Sequence, residues 1–133
     1  DTAYGMVFNT TDSSNGVSIG SPTSRLVADF QGVYNVQFSA QLDKTSGGVG
    51  NIYIWLRKNG TNVPNTSTTV AIQGSAARTV AAWNFIIQLE PTQYVELMWA
   101  TDDTSVRILA ASATSVWPAI PSVIATLTQV NNL

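Results

Sequence analysis

Hydrophobic and polar residues alternate one by one along much of this chain. The clearest example is the segment 34–42, in which every second residue is apolar or aromatic: Tyr34, Val36, Phe38, Ala40 and Leu42. The residues between them are Asn, Gln and Ser. In a β-strand, successive side chains point to opposite faces of the sheet. The pattern therefore predicts a strand with one buried face and one solvated face.

Further segments are interpreted as strands from the same alternation and from their β-branched and aromatic residues. They span residues 4–8, 24–30, 51–58, 67–73, 80–90, 94–101, 106–110 and 122–130. No long window sustains the 3.6-residue period of an amphipathic helix. Short strands without helices indicate an all-β protein, an antiparallel sandwich or jelly roll of about eight to ten strands. We expect a single domain over residues 1–133.

Two turn signals connect these strands. Asn59-Gly60 follows the strand 51–58 and is a dipeptide preferred in two-residue β-hairpins. Pro91-Thr92-Gln93 separates the strands 80–90 and 94–101. We expect the chain to reverse there, so that these two strands pair as a hairpin.

The aromatic residues divide into two groups. Trp83 and Trp99 share a strand face with aliphatic residues, which indicates packing in the core. Tyr53 and Trp55 instead lie opposite an aliphatic face, so their strand is apolar on both sides. Either a second layer of the same chain or another subunit would cover them. Trp117, in a loop flanked by proline, is open to the same two interpretations, and all three are candidate subunit-interface residues.

The composition excludes several classes of function. The chain has no Cys and no His, which removes disulfides, thiolate nucleophiles, the Ser-His-Asp triad and His- or Cys-ligated metals. Six basic and eight acidic residues give a net charge of −2, which leaves no basic patch for nucleic acid or an anionic membrane. No apolar run is long enough to cross a bilayer. We expect no enzymatic activity and no cofactor.

Two pairs of acidic residues remain as candidates for chemistry. Asp102 and Asp103 are adjacent in a predicted turn, where carboxylates would suit Ca²⁺, although two of them cannot fill its six to eight ligand positions. A solvated turn is the alternative interpretation. Glu90 and Glu96 flank the Pro91 turn and would face each other across the predicted hairpin as a glycosidase-type pair.

Three motifs occur in an order and spacing that resemble a known superfamily. Residues 30–38 read FQGVYNVQF, residues 54–60 read IWLRKNG, and residues 89–97 read LEPTQYVEL. They resemble the Phe-x-Gly-x-Tyr-x-Phe strand, the strand ending in Asn-Gly and the Leu-x-x-Gly-Asp-x-Val-x-Leu hairpin of the complement globular-head and tumour-necrosis-factor superfamily. The strand at 123–130 takes the place of the family's last strand. Gln93 departs from the pattern, because it stands where the motif has Asp.

The resemblance implies a fold and a function. The Cys-free and His-free composition, rich in Asn, Thr and Ser, is similar to the branch found in bacteriophage and viral structural proteins. That branch implies a jelly roll that forms a tight homotrimer, the C-terminal part of a longer virion protein attached to other virion proteins through an N-terminal stalk. We expect a non-enzymatic fibre, spike or tail head on the virion surface that binds a host-surface glycan or protein receptor.

Two alternative functions remain open from the sequence. One is a purely structural trimerisation or capsid-decoration domain without a receptor. The other is a carbohydrate module acting alone, whose enzymatic version would depend on Glu90 or Glu96.

Overall fold

The computed structural model describes residues 2–132, and residues 1 and 133 of the predicted domain lie outside this range. The described residues form strands and connecting loops without a helix. The strands are β1 (Tyr4–Gly5), β2 (Val17–Ile19), β3 (Leu26–Ala28), β4 (Gly32–Lys44), β5 (Val49–Lys58), β6 (Thr61–Asn62), β7 (Thr68–Gln73), β8 (Arg78–Leu89), β9 (Tyr94–Thr101), β10 (Val106–Ile108) and β11 (Val123–Asn132).

The strands form two antiparallel sheets. In the seven-stranded sheet, β9 pairs with β5 along one side and with β1 and β3 along the other. Strand β2 extends the sheet beyond β3, and β6 and β7 pair with the free side of β5. In the four-stranded sheet, β4 is central, with β8 on one side and β10 and β11 on the other. The predicted all-β, antiparallel architecture is confirmed.

One hydrophobic core lies between the sheets. The even-numbered residues of β4, from Tyr34 to Leu42, are buried as predicted and face Ile52, Ile54 and Leu56 of β5. Trp83 and Trp99 pack against the same core, which confirms their predicted position. Burial of each large aliphatic side chain contributes about 1.5–3 kcal/mol. The alternation in the sequence is therefore the pattern of a two-layer sandwich.

The Asn59-Gly60 turn forms as predicted. Both residues have positive φ angles, 48° for Asn59 and 83° for Gly60, as a two-residue type I′ hairpin turn requires. The turn joins β5 to β6, so that Lys58 pairs with Thr61.

The predicted hairpin around Pro91 is wrong. Strand β8 pairs with β4 in the four-stranded sheet, whereas β9 pairs with β5 in the seven-stranded sheet. The turn at residues 90–93 therefore passes from one sheet to the other. Alternation identifies the buried face of each strand, but it carries no information on which neighbour supplies the backbone hydrogen bonds. Glu90 and Glu96 consequently do not face each other across paired strands.

The strand boundaries also differ from the prediction in detail. Strands β2 and β6 were not predicted, because runs of two or three residues are too short to show a period. The strand predicted at 4–8 is limited to β1, and the one predicted at 24–30 is limited to β3.

Candidate functional site

The outer face of the four-stranded sheet is uncharged over most of its area. Its outward positions come from the alternation of β4, β8 and β11 and from their pairing register. They are Val33, Asn35, Gln37, Ser39, Gln41, Val80, Ala82, Asn84, Ile86, Gln88, Ile124, Thr126 and Thr128, which we call the neutral face. Side-chain amides link its strands, since Asn84 Nδ2 donates to Asn35 Oδ1 at 2.8 Å. Such a surface carries no electrostatic barrier to contact with an identical surface.

Large apolar side chains protrude from the neutral face. Ile86 is 61% exposed, and Val80 and Ile124 are exposed to a similar degree on the two flanking strands. Isolated exposed apolar residues are ordinary, but several on one sheet face that is uncharged over most of its area are characteristic of an interaction surface.

Charged residues on this sheet are confined to one end. Arg107 of β10 makes a bidentate ion pair with Asp43 of β4, with nitrogen–oxygen distances of 3.0 and 2.7 Å. The hydrogen bonds and charge of Arg107 hold the pKa of the Asp43 carboxyl below its usual range. Arg78 is the register partner of Asp43 on the other side. The charged side chains on the outer face therefore lie at one end of the sheet, and the rest of this face is neutral.

A hydrogen-bonded hairpin extends from the side of the four-stranded sheet formed by β10 and β11. Residues 111–120, here called the Trp117 hairpin, connect β10 to β11, and both of these strands pair with β4. Ala111 and Ile120 exchange two backbone hydrogen bonds of 2.9 Å, and Thr114 caps the tip by accepting from the amides of Val116 and Trp117. At the tip Val116 is 81% exposed and Trp117 is 55% exposed. Internal hydrogen bonds thus hold two apolar side chains out into solvent.

The predicted interface residues do not form one surface. Trp117 lies on the hairpin beside the four-stranded sheet, whereas Tyr53 and Trp55 lie on the outward side of β5 in the seven-stranded sheet. Both β5 residues are only half-exposed, and Trp55 Nε1 donates to Asn62 Oδ1 at 2.8 Å. Its register partner, Met98, is buried. Part of the cover expected for Trp55 therefore comes from its own chain.

Asp102 and Asp103 are both engaged by neighbouring groups. Asp102 accepts hydrogen bonds of 2.9 Å from the backbone amide and the side-chain amide of Asn51, which lower its pKa. Asp103 accepts from the backbone amide and hydroxyl of Ser105 and pairs with the Lys44 ammonium at 3.1 Å. These contacts, those of Ser105 first, lower the pKa of Asp103 to about 2. The ammonium of Lys44 takes the position beside Asp103 that a bound cation would occupy.

The remaining acidic candidates, Glu90 and Glu96, do not form a pair with each other. Glu96 Oε2 accepts a hydrogen bond of 2.6 Å from Ser24, and the backbone amide of Glu90 donates to Gln93 Oε1 at 2.9 Å. Within residues 2–132, no three His, Cys, Asp or Glu side chains are grouped so that they could hold a metal ion.

Sequence reasoning missed the apolar residues of the neutral face. A signal was present, since Val80 and Ile86 occupy even positions of β8, opposite the face that carries Trp83 and Phe85. The sequence thus placed apolar residues on both sides of β8, as it did for Tyr53 and Trp55 on β5.

Comparisons with known proteins add no identification. No model of a protein family matches the chain, and no curated protein matches it. The resemblance of the three strand motifs thus remains a prediction. The described part of the chain, residues 2–132, also contains no helix with the length and apolar character needed to cross a membrane.

Proposed function

We propose that this domain is the non-enzymatic, homotrimeric head of a phage or viral fibre, spike or tail protein that attaches to a host surface. The observation that carries the proposal is the neutral face, with Ile86 and Ile124 exposed and the Trp117 hairpin at its edge. Each such side chain gains about 25 cal/mol for every Å² of apolar surface that a second subunit covers. Around a symmetry axis, an uncharged surface meets its own copies without like-charge repulsion.

The strand connections support a jelly roll. Five connections pass from one sheet to the other: β3 to β4, β4 to β5, β7 to β8, β8 to β9 and β9 to β10. Strands distant in sequence become neighbours, as when β11 pairs with β4 and β9 with β3. Such connections between two packed sheets are typical of jelly rolls.

The conformation of Thr92 supports the family resemblance. Thr92 occupies the position of glycine in the Leu-x-x-Gly-Asp-x-Val-x-Leu motif, and its φ angle is 69°. A positive φ is natural for glycine and unusual for a β-branched residue. A glycine at this position, as in the family motif, would adopt this backbone without strain.

A light-scattering measurement with a charge variant tests the trimer. Size-exclusion chromatography with multi-angle light scattering should give three times the chain mass at micromolar concentration. Ile86→Lys places three ammonium groups in the contact, and we expect it to dissociate the assembly while the monomer stays folded. Val7→Lys is the matched control, because Val7 is equally exposed, at 63%, and is not part of the neutral face. A wild-type monomer, or equal behaviour of the two variants, would contradict the proposal.

Binding measurements test attachment separately from assembly. Labelled domain should adsorb to one class of host cell, or to one group of glycans on an array, above the level of a charge-matched control protein. A stable trimer that binds no cell and no glycan would replace attachment by the structural trimerisation or decoration role. Turnover of a cell-wall polysaccharide that is lost in Glu90→Gln or Glu96→Gln would overturn the non-enzymatic assignment.

A further inference from the structure

A small cup opens where the two sheets meet, at the end of the sandwich opposite the Lys44 loops. It has a volume of about 220 Å³ and is lined by Asn15, Gly16, Val17, Phe30, Tyr34 and Gln129. Val17 belongs to the seven-stranded sheet, whereas Tyr34 and Gln129 pair with each other in the four-stranded sheet. The cup thus lies at the mouth of the core, and none of its lining residues belongs to the neutral face, so the proposed trimer contact does not require its lining.

An exposed aromatic ring forms one wall of the cup. Phe30 is 59% exposed, and its backbone carbonyl accepts a hydrogen bond of 2.6 Å from the hydroxyl of Tyr34, a residue that is itself buried. The ring lies against Gly16, where an added Cβ would be 3.2 Å from Phe30 Cδ2 and Cε2. Gly16 has a φ of 75°, which also favours glycine. Phe30 is therefore held in place with much of its ring open to solvent.

The polar groups of the cup are side-chain amides. Gln129 Nε2 donates to the carbonyl of Gln31 at 3.1 Å and to Asn132 Oδ1 at 2.8 Å. Because a backbone carbonyl can only accept, these bonds fix which end of the Gln129 amide is nitrogen. Within the described chain, neither Gln129 Oε1 nor the Asn15 amide has a hydrogen-bond partner. Two acceptors and one donor group on residues that line the cup thus remain for a ligand.

The size and charge of the cup restrict its ligand. Pockets for drug-sized molecules measure roughly 300–1,000 Å³, so this cup suits something smaller. No Asp, Glu, Lys or Arg is among its described lining residues, which gives no counter-charge for a phosphate, a sialic acid or an amine. A pyranose ring combines what these walls can recognise, because its C–H groups can stack on the electronegative face of an aromatic ring and its hydroxyls can pair with amides.

We propose that the Phe30 cup is a subsite for one neutral pyranose unit of a host-surface glycan. This inference rests on the proposed attachment function, because it names the class of receptor that the head would recognise. A subsite of this size binds a single sugar weakly, and three copies in a trimer would raise the avidity for a clustered glycan.

Chemical-shift titration tests the cup directly. The probes are the methyl glycosides of glucose, galactose and mannose, N-acetylglucosamine and N-acetylgalactosamine, with sialic acid as the charged comparison. We expect millimolar binding of at least one neutral sugar, with shifts in the Phe30 ring and in the side-chain amides of Asn15 and Gln129. Phe30→Ala should weaken binding about tenfold or more, which corresponds to about 1.4 kcal/mol, whereas Phe30→Tyr should retain it. Val7→Ala removes an equally exposed apolar side chain elsewhere and should bind as the wild type does.

A second variant covers the case in which Phe30→Ala fails to fold. Asn15→Ala removes an exposed side chain that has no hydrogen-bond partner within the described chain, and it should weaken the same sugar without lowering the melting temperature. Shifts that map to the Trp117 hairpin, no shift with any neutral sugar, or equal affinity for sialic acid would overturn the inference. If wild type and Phe30→Ala adsorb equally to host cells, the cup is not the receptor site and attachment stands. If the cup binds sugar but the chain is a monomer that adsorbs to no cell, the proposed function fails instead.

Discussion

The buried lysine of β4 should be essential for the stability of one end of the sandwich. Lys44 is fully buried, and its ammonium donates to the carbonyls of Ser46 and Gly47 at 2.9 and 2.8 Å and to the Ser105 hydroxyl at 3.0 Å. With the ion pair to Asp103, these contacts join the loop 45–48 to the loop 102–105. Lys44→Met keeps most of the aliphatic stem and removes only the charge and its hydrogen bonds.

The expected loss of stability follows from these contacts. A hydrogen bond to a charged group contributes about 1.5–3 kcal/mol, and the variant loses three that are 3.0 Å or shorter. The loop residues 45–48 are exposed, so water can satisfy the two carbonyls after the change and recover part of this energy. We therefore expect Lys44→Met to lower the free energy of unfolding by about 2–4 kcal/mol. For a domain of this size, the melting temperature should fall by about 10 °C.

Urea unfolding followed by tryptophan fluorescence measures this loss. Lys58→Met is the matched control, because the Lys58 ammonium makes an exposed hydrogen bond of 2.8 Å to the carbonyl of Gln88. We expect the control to change stability by about 0.5 kcal/mol or less. If the two variants have the same unfolding midpoint, the Lys44 ammonium does not hold the loops together and the reasoning is refuted.

Two further predictions concern acid stability and a strained turn. Since the pKa of Asp103 is about 2 in the folded chain against an ordinary 3.8, its ionised form stabilises the fold above about pH 4, and this stability disappears as the pH falls towards 2. Melting temperatures between pH 5 and 2 should therefore fall more steeply for the wild type than for Asp103→Asn, and identical slopes would contradict the assignment. Thr92→Gly should raise the free energy of unfolding by about 1 kcal/mol, because it removes the strain of a β-branched residue at a positive φ angle. This gain exceeds the entropy cost of the more flexible unfolded chain that glycine brings. Thr68→Gly, in the extended strand β7, should lower it by about the same amount, and destabilisation by both variants would show that Thr92 is unstrained.

The sequence predicted the strands and their buried faces better than it predicted which strands pair with each other. Residues 34–42 alternate so regularly that the strand and its core-facing side could be assigned directly, and the structure confirms both. The hairpin around Pro91 was wrong because a turn residue indicates a reversal of the chain without specifying whether it stays in one sheet. Closing the loop between two sheets costs little more entropy than closing it within one, so local chemistry cannot discriminate between them.

The candidate sites, too, could be predicted from the sequence only in part. Trp117 was predicted as an interface residue from its proline-flanked loop, and its exposure at the tip of a hydrogen-bonded hairpin leaves that role as a prediction. The Phe30 cup could not be predicted, because its walls come from residues 15–17, 30, 34 and 129, which only the pairing of β11 with β4 and of β2 with β3 brings together.

By itself, the sequence determined an all-β chain without His or Cys, whose strands each have a recognisable buried face. These properties depend on composition and on a period of two residues, which are local. Only the tertiary structure decided which strands pair, that Lys44 takes the place of a cation beside Asp103, and that the outward positions of β4, β8 and β11 combine into one neutral face. Those features arise from contacts between residues distant along the chain, and their geometry is set by packing the whole core at once.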